Sequence, residues 1–315
     1  MPGKIVNIGS LCIDYVYRVP RIVSEGVTLA STQRQVFAGG KGLNQSVAAA
    51  RAGAEVVHCG AIGPDGDLLV ETLEGAGARI DQIVTINEPS GHAVIQVNPD
   101  GQNAIVIHGG ANRTLTPAYV DAATRNLSQH DWVLLQNEVN DLDLIISAAK
   151  GAGAKVALNL APADERIADY PIDLLDLLIV NIDEAAALVA AKALGEPGAN
   201  ADEHFAQLVK AYPHTSLVLT QGSAGLLCHE AGSEHRMHMG TIKVDAVDET
   251  AAGDSFVGYC LASLARGDEL HQALRLGTIA GALAVTREGA APSVPSPAEV
   301  EARLPELPEG VTSPV

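Results

Sequence analysis

Short apolar runs alternate with longer amphipathic stretches along most of this 315-residue chain. The runs have the length of strands and are predicted as Ile5–Gly9, Val56–Ala61, Trp132–Gln136, Lys155–Leu160, Leu177–Asn181, Leu217–Thr220 and Leu226–His229. Helices are predicted between most of them, at Leu43–Ala52, Leu68–Ala76, Pro117–Leu127, Leu142–Lys150, Glu184–Leu194 and Glu203–Tyr212. Because strands joined by helices pair in parallel, the pattern predicts a doubly wound α/β fold, with a mostly parallel sheet and helices on both faces.

Two regions lack the helical pattern, residues 13–37 and 91–108. In the second, Ala93–Val97 and Ala104–Ile107 flank the turn Asn98-Pro99-Asp100-Gly101, which predicts a β-hairpin. We therefore expect residues 11–37 and 91–109 to form a small β-sheet that covers a site as a lid. Residues 1–10, 38–90 and 110–315 would form the main α/β domain, with a closing loop and a short helix after Ala290.

Composition excludes several classes of function. The formal net charge is −18, from 20 basic and 38 acidic side chains, and no cluster of Lys and Arg is present to bind nucleic acid. The cysteines are far apart, which predicts free thiols in a reducing compartment: Cys12, Cys59, Cys228 and Cys260. The first apolar run is too short for a signal peptide, and no run is long enough to span a membrane. We expect a soluble, cytoplasmic protein with no membrane partner.

A glycine cluster, Gly39-Gly40-Lys41-Gly42-Leu43-Asn44, leads into a predicted helix. Glycines before a helix let backbone N–H groups approach a polar ligand. The cluster satisfies neither the dinucleotide fingerprint nor the P-loop pattern, so a plain tight turn remains an alternative.

A second small-residue segment, Thr250-Ala251-Ala252-Gly253-Asp254-Ser255-Phe256, opens a helix predicted to reach about Ala265. Its backbone N–H groups can form an anion hole for a phosphoryl group in transfer. Asp254 beside that hole is placed to accept the proton of an alcohol, as phosphoryl transfer requires. The alternative is that Asp254 only caps the helix.

Two further segments follow predicted strands. In Asn181-Ile182-Asp183-Glu184, the side chains of Asn181 and Glu184 lie on one helix face and can orient water around Mg²⁺. The alternative is a capping box between the same two residues. Thr220-Gln221-Gly222-Ser223-Ala224-Gly225 can hold a nucleotide or be only a turn.

Taken together, these segments resemble the ribokinase family of carbohydrate kinases, of the phosphofructokinase-B type, from about Ile5 to Pro295. Two signatures carry the resemblance: Ala38-Gly39-Gly40-Lys41-Gly42-Leu43-Asn44-Gln45 and Val247-Asp248-Glu249-Thr250-Ala251-Ala252-Gly253-Asp254-Ser255-Phe256. Asn159-Leu160-Ala161-Pro162 and the segment Ala284–Ser293 are similar to further parts of the family. The resemblance implies a ribokinase-like fold and ATP-dependent phosphorylation of a primary hydroxyl of a sugar, ribose or a related pentose.

The resemblance also implies a role for each matching position. Asp254 is the base, and the backbone of Ala251, Ala252, Gly253 and Asp254 forms the anion hole. The sugar is bound by Asp14, Gly40, Lys41, Gly42, Asn44, Glu138 and Asp254. ATP is bound by Asn181, Thr220, Gly222, Ser223, Gly225, Gly253 and Thr278, and Glu184 acts indirectly on Mg²⁺. A monovalent cation, usually K⁺, is bound by Asp248, Thr250, Ala284, Arg287, Gly289 and Ser293. A homodimer formed through the lid is expected.

The chain departs from the family pattern at two places. Cys12 stands where ribokinases have an asparagine, two residues before Asp14, and Ser24–Thr28 replaces a Pro-Gly-Glu-Thr segment. A thiol is a weak hydrogen-bond partner, so other furanoses, keto-sugars and nucleosides remain alternative acceptors. A Rossmann-type oxidoreductase is disfavoured because no glycine fingerprint follows the first strand. A non-catalytic sugar sensor is disfavoured because Asp254 and the anion hole are both present.

Overall fold

The computed structural model describes residues 2–195 and 200–314. The strands are β1 (Ile5–Ile8), β2 (Cys12–Arg18), β3 (Gln33–Gly39), β4 (Val56–Ile62), β5 (Arg79–Thr85), β6 (Gly91–Val97), β7 (Asn103–His108), β8 (Trp132–Gln136), β9 (Lys155–Asn159), β10 (Leu177–Asn181), β11 (Ser216–Thr220), β12 (Leu226–His229), β13 (His235–Met239) and β14 (Val311–Pro314). The helices are α1 (Lys41–Arg51), α2 (Asp67–Gly75), α3 (Pro117–Thr124), α4 (Leu142–Gly151), α5 (Ile182–Ala191), α6 (Ala201–Ala211), α7 (Ala252–Arg266), α8 (Leu270–Ala284) and α9 (Pro297–Arg303).

The large sheet has the strand order β14-β13-β12-β11-β10-β9-β8-β1-β4-β5. The seven strands from β5 to β11 pair in parallel, and β12, β13 and β14 continue the sheet in antiparallel pairing. Parallel strands require crossover connections, which the helices supply. The doubly wound, mostly parallel α/β fold expected from the sequence is confirmed.

Both faces of the central strands of this sheet are buried, and each face carries its own hydrophobic core. In β10, Leu177 and Ile179 pack on one side, while Leu178 and Val180 pack on the other. Because successive side chains of a strand point to opposite faces, a continuous apolar run fills both cores at once. One core packs α1, α2, α7, α8 and α9 against the sheet, and the other packs α3, α4, α5 and α6.

A separate four-stranded sheet has the order β3-β2-β6-β7 and is called the lid sheet below. Its outer pairs are antiparallel, including the expected hairpin of β6 and β7, whereas β2 and β6 pair in parallel. Its four strands fall inside residues 11–37 and 91–109 except that β3 continues to Gly39. The division of function between a catalytic domain and a lid stays a prediction.

The seven strands and six helices expected within the α/β pattern are confirmed, with ends that differ by a few residues. The expected helix at Pro117–Leu127 is too long, because it ends at Thr124. The tail after Ala290 contains the expected short helix, but it also contributes β14, which was not expected. Across the two described ranges, no helix is both long and apolar enough to cross a lipid bilayer.

Candidate active site

The segments singled out in the sequence meet at the carboxyl ends of the parallel strands. Asn159, Asn181 and Thr220 are the last residues of three adjacent strands, β9, β10 and β11. They line one cleft of about 240 Å³ together with Lys41, Glu184, Gly253 and Asp254. Ligands of open α/β sheets bind at this edge, so the cleft is the candidate active site.

Asp254 does not cap the helix that it opens. The N-cap of α7 is Ala251, and Asp254 is the third helical residue. Its carboxylate is buried and accepts two side-chain hydrogen bonds, from Asn44 Nδ2 to Oδ2 (3.0 Å) and from Gln45 Nε2 to Oδ1 (2.9 Å). The helix-cap alternative is therefore wrong, because both oxygens are directed to α1 instead of to the N–H groups of α7.

The start of α7 leaves backbone donors available. The N–H groups of Gly253 and Asp254 have no acceptor in the described part of the chain, whereas Ala252 donates to the Glu249 carbonyl (3.3 Å). Ala251 has a positive φ of 59°. This conformation is strained for any residue other than glycine, and such strain recurs at functional sites. A Cβ atom placed on Gly253 would meet nothing within 4 Å, so open space lies in front of these donors.

The structure explains why glycine is required at two positions of the first cluster. Gly40 has φ 93° at the N-cap of α1, a conformation that only glycine adopts at little cost. A Cβ on Gly39 would lie 2.1 Å from Asp14 Oδ2, so glycine allows the carboxylate of Asp14 to approach the backbone. The cluster thus brings Asp14, on the lid sheet, next to the start of α1.

Glu138, which follows the end of β8, contacts this glycine cluster. Its Oε2 accepts hydrogen bonds from the Lys41 N–H (2.9 Å) and from the Ser10 hydroxyl. Burial, with a smaller contribution from the Glu138 carboxylate, raises the pKa of Asp14 to about 6. Asp14 and Glu138 therefore form a pair of acidic groups next to the start of α1.

Lys41 is half-buried at the centre of the acidic groups. Burial lowers its pKa, but the carboxylates of Asp254, Glu138 and Glu184 outweigh that effect and leave the pKa above its ordinary value. The ammonium group is therefore charged at neutral pH. Its place in the cleft wall shows that Lys41 is not a fully solvated surface lysine.

Asn181 and Glu184 form a capping box at the start of α5. Asn181 Oδ1 accepts the Glu184 N–H (2.8 Å), and Glu184 Oε2 accepts the Asn181 N–H (2.9 Å). Burial raises the pKa of Glu184, which the Asn181 N–H and Lys41 offset in part. Each carboxylate oxygen still has a free lone pair, so the capping box is compatible with binding of water around a metal ion.

The remaining residues expected to bind the nucleotide lie outside the cleft lining. Gly222 and Ser223 belong to a single 3₁₀ turn after β11, and Gly225 closes that turn with φ 93°. Thr278 is buried in α8 and contacts Met239 Sδ (3.8 Å). The cleft lining thus includes Asn181, Thr220 and Gly253 but not the other four residues.

Two loops next to the anion hole are tied together by Asp248. Its Oδ2 accepts the Gly289 N–H (2.9 Å), and its Oδ1 accepts the Thr250 N–H (2.9 Å) and hydroxyl. These hydrogen bonds outweigh burial and lower the pKa of Asp248. The Arg287 side chain forms an ion pair with Glu299, so only its backbone carbonyl can serve a cation in this loop pair.

Ala284 and Ser293 of the same loop pair are buried. The Ala284 carbonyl accepts the Arg287 N–H (3.2 Å), and the Ser293 hydroxyl donates to the Ala290 carbonyl (2.8 Å). No group of three His, Cys, Asp or Glu residues able to hold a metal ion occurs in residues 2–195 and 200–314. Cations at this site would therefore depend on backbone carbonyls, ligand phosphates and water.

Several residues of the site were not expected from the sequence: Ser10, Gln45 and Asn159. Gln45 Nε2 donates to both Asp254 Oδ1 and Asn159 Oδ1 (2.9 Å each). For Asn159 a signal existed, because it ends a buried strand just as Asn181 and Thr220 do. Ser10 and Gln45 gave no local signal, since their roles depend on contacts with residues more than 100 positions away.

Comparisons with known proteins agree with this geometry. The pfkB family carbohydrate kinase model matches residues 3–297. A ribokinase from Staphylococcus aureus is 35% identical over 310 residues, which cover 95% of this chain and 99% of that protein. The solved structure of a ribokinase from Cryptococcus neoformans in complex with ADP has a TM-score of 0.82 at 34% identity, covering 96% of this chain and 99% of that one. Ribokinase from Arabidopsis thaliana, complexed with ribose and ATP, gives a TM-score of 0.82 at 28% identity, covering 96% and 99%.

Proposed function

The chain belongs to the pfkB family of carbohydrate kinases, and we propose that it transfers the γ-phosphoryl group of ATP to a primary hydroxyl of ribose. The observation that carries the proposal is the Asp254 carboxylate. It is buried, held at both oxygens by side-chain amides, and adjacent to two N–H groups at the start of α7 that have no acceptor among the described residues. Two ribokinases of known structure support the proposal: one is in complex with ADP, and the other is complexed with ribose and ATP.

In the proposed reaction, Asp254 accepts the proton of the sugar hydroxyl while that oxygen attacks the γ-phosphorus atom in line with the leaving ADP. The N–H groups of Gly253 and Asp254 hold the oxygens of the phosphoryl group. Lys41, whose pKa is raised by surrounding carboxylates, supplies a positive charge to the same space. Mg²⁺, with Glu184 holding its water ligands, would neutralise charge on the phosphates.

The sugar would bind between the lid sheet and α1. Asp14, Glu138 and the buried Asn44 offer oxygen acceptors, and Asn44 Oδ1 has no partner in the described residues. The backbone at Gly40, Lys41 and Gly42 adds polar groups close to them. Sugar hydroxyls both donate and accept, so a cluster of this kind can pair each of them.

Cys12 favours a second group of acceptors. It lies on the same face of β2 as Asp14, and Asn112 Nδ2 contacts its Sγ (3.4 Å). Burial raises the pKa of this thiol far above its usual range, so it offers only a weak S–H donor. The alternative acceptor is therefore another furanose, or a nucleoside, whose sugar makes no strong hydrogen bond at this position.

We propose K⁺ as an activating ion at the loops that Asp248 ties together. The residues concerned are Asp248, Thr250, Ala284, Arg287, Gly289 and Ser293, which would contribute mainly backbone oxygens. Since Thr250 precedes the anion hole directly, an ion here would help to fix the start of α7. Equal turnover in K⁺ and in a bulky organic cation would remove this part of the proposal.

A homodimer through the lid sheet is also proposed. The edge strand β7 exposes Ile105 (50%), Val106 (70%) and Ile107 (63%). An apolar edge strand of this kind invites pairing with a second chain.

The four cysteines are free thiols, as expected from the sequence, which supports the proposal of a reducing, cytoplasmic location.

The test is an assay of ADP release with ATP and a panel of pentoses, hexoses and nucleosides. Ribose is expected to give the highest kcat/KM. The variant Asp254→Asn is expected to lose about 1,000-fold in kcat, because general-base catalysis supplies an effect of that order. Calorimetric binding of the sugar should persist in the variant. ATP turnover at the parent rate would show that Asp254 is not the base.

A further inference from the structure

Four neighbouring strands of the large sheet each place one polar side chain in the core beside α1 and α7. They are His58 on β4, Asn7 on β1, Gln136 on β8 and Asn159 on β9, and the first three are fully buried. Each lies two positions after an apolar residue of that core, so the period of the strand points it to the same face. A polar row inside an apolar core requires a hydrogen-bonding reason.

These side chains form a continuous chain of hydrogen bonds that ends at the proposed base. Gln45 Nε2 donates to Asp254 Oδ1 (2.9 Å), and Gln136 Nε2 donates to Gln45 Oε1 (2.7 Å). Gln136 Nε2 also donates to Asn7 Oδ1 (3.1 Å), and Asn7 Nδ2 donates to Ser46 Oγ (2.8 Å). We call this series, from Ser46 to Gln45, the amide relay.

The relay has a fixed direction. An amide side chain donates at one end and accepts at the other, so Gln45 can donate to Asp254 only while its oxygen faces away. Gln136 enforces that orientation, because its N–H₂ group faces Gln45 Oε1. If this donor were lost, Gln45 could turn over and direct its oxygen at the carboxylate, which would repel it.

The group next to the far end of the relay, the imidazole of His58, carries no charge. His58 Nδ1 lies 2.8 Å from the Ser46 hydroxyl. Because Ser46 already accepts from Asn7, its own proton is directed to the ring nitrogen. Burial lowers the pKa of His58 to about 4, which the Gly9 carbonyl offsets only in part, so the ring is neutral near pH 7. The network thus contains one carboxylate, that of Asp254, and a neutral imidazole.

We propose that Gln136 is a positioning residue of the kinase, which acts through Gln45 to orient the Asp254 carboxylate toward the sugar hydroxyl. This inference rests on the proposed function of Asp254. Gln136 is completely buried and directs its amide N–H₂ group to Gln45 and Asn7, so it would act on the reacting groups through those side chains. Amides do not take up protons, so the relay orients the carboxylate and leaves the proton on Asp254 until product is released.

The experiment compares Gln136→Met, Gln45→Met and the double variant in the full-length protein with ribose and ATP. Methionine keeps the length of the side chain and removes its donors. Gln136→Met is expected to lower kcat about tenfold, because a small misplacement of a catalytic group has effects of this size, with both KM values within about twofold of the parent. The double variant should have the kcat of Gln45→Met alone, since Gln136 acts only through Gln45.

Asn137→Leu is the matched control. Asn137 is equally buried and adjacent in sequence, but its amide binds the Pro162 carbonyl (2.6 Å) and the Tyr170 hydroxyl (2.6 Å) instead of the relay. It is expected to lower thermal stability without the loss of kcat seen in Gln136→Met. A kcat of Gln136→Met within twofold of the parent, or a double variant whose loss is the product of the two single losses, would overturn the proposal.

If the methionine variants do not fold, Gln136→Glu serves the same purpose, because it keeps both size and polarity. Its carboxyl group has at most one proton to donate, so it cannot serve Asn7 and Gln45 together, and kcat is expected to fall with KM unchanged. A kcat and pH profile equal to the parent would contradict the proposal. Failure of the proposed function is seen separately, as an unmodified protein that releases no ADP with any acceptor.

Discussion

The large sheet and the lid sheet solve the problem of burial in opposite ways. In the large sheet, the four apolar residues of β10 are buried, with Leu178 and Val180 completely so. In the lid sheet, Val106 of β7 is 70% exposed and lies on an edge strand. The central strands of the large sheet are covered on both faces by helices of the same chain, whereas the lid sheet exposes apolar side chains on its edge strand. We infer that the large sheet determines the phosphoryl-transfer chemistry, and that the lid sheet determines access of the acceptor.

The strongest test on the large-sheet side is Gly253→Ala. The added methyl group has no contact within 4 Å, so the fold should be retained. It would occupy the space that the phosphoryl group needs, and kcat is expected to fall about 100-fold, as on loss of an oxyanion-hole donor. Steady-state kinetics and thermal unfolding measure the two effects.

Gly151→Ala is the control for this variant. Gly151 ends α4 away from the cleft, and a Cβ there also meets nothing within 4 Å. Its kcat should equal that of the parent. Unchanged kcat in Gly253→Ala as well would show that the start of α7 does not receive the phosphoryl group.

On the lid side, Asp14→Asn is expected to raise the sugar KM about 30-fold near pH 8, because hydrogen bonds to a charged group contribute about 2 kcal/mol. The pH dependence has a definite sign. Burial raises the pKa of Asp14 to about 6, so the carboxylate is protonated as the pH falls through that value. The sugar KM of the parent should therefore rise below about pH 6, and that of Asp14→Asn should stay flat.

The ATP KM measured in the same assays is the control, since Asp14 lies on the lid sheet and not beside Asn181 or Thr220. A sugar KM that is equally flat in parent and variant between about pH 5 and pH 8 would remove Asp14 from the sugar site.

Cys12→Asn sharpens the comparison further, with a smaller effect. An amide in place of the thiol can form an additional hydrogen bond with a hydroxyl, which is expected to lower the ribose KM about fivefold, for about 1 kcal/mol. Cys12→Ala is the matched variant and should leave the ribose KM close to that of the parent. A higher KM in Cys12→Asn would show that the acceptor has no hydroxyl directed at this position.

The smallest effect on catalysis is expected from Val106→Glu, which tests the role of the exposed lid surface. A charge on the edge strand should convert a dimer to a monomer in sedimentation velocity, with kcat within a few-fold of the parent. Val311→Glu is matched to it, because Val311 is 68% exposed on β14 of the large sheet. Equal masses for the parent and Val106→Glu would contradict dimerisation through the lid.

The sequence predicted six of the seven parallel strands of the large sheet, because those six are mostly apolar runs in the core. It did not predict β5, which mixes polar and apolar residues and is largely exposed. It missed the strands with weak local patterns. β13 is His-Arg-Met-His-Met, and β14 contains Pro314 in a pairing with His235. Strands of this kind are stabilised by their ladder with a distant partner, and local composition does not indicate such a partner.

The same reasoning applies to the site. The two small-residue segments predicted the start of α1 and the start of α7, but not that Asn44 and Gln45 hold Asp254. Those contacts join residues 210 and 209 positions apart. The polar residue in each buried strand was a recoverable signal, since Asn7 interrupts an otherwise apolar run and Gln136 ends another.

The parallel pairing of β2 and β6 has a consequence for how the chain assembles. Cys12 of β2 pairs with Gly91 of β6 in the lid sheet, although these two strands are far apart in the sequence. β2 directly follows β1, whereas β6 follows β5. The two halves of the lid meet only once β1, β4 and β5 have been placed side by side. Closing that long loop costs entropy that the larger core must already have offset. The lid is therefore expected to be the last part of the molecule to fold and the first to open, which agrees with the predicted role of this sheet as a cover over the sugar site.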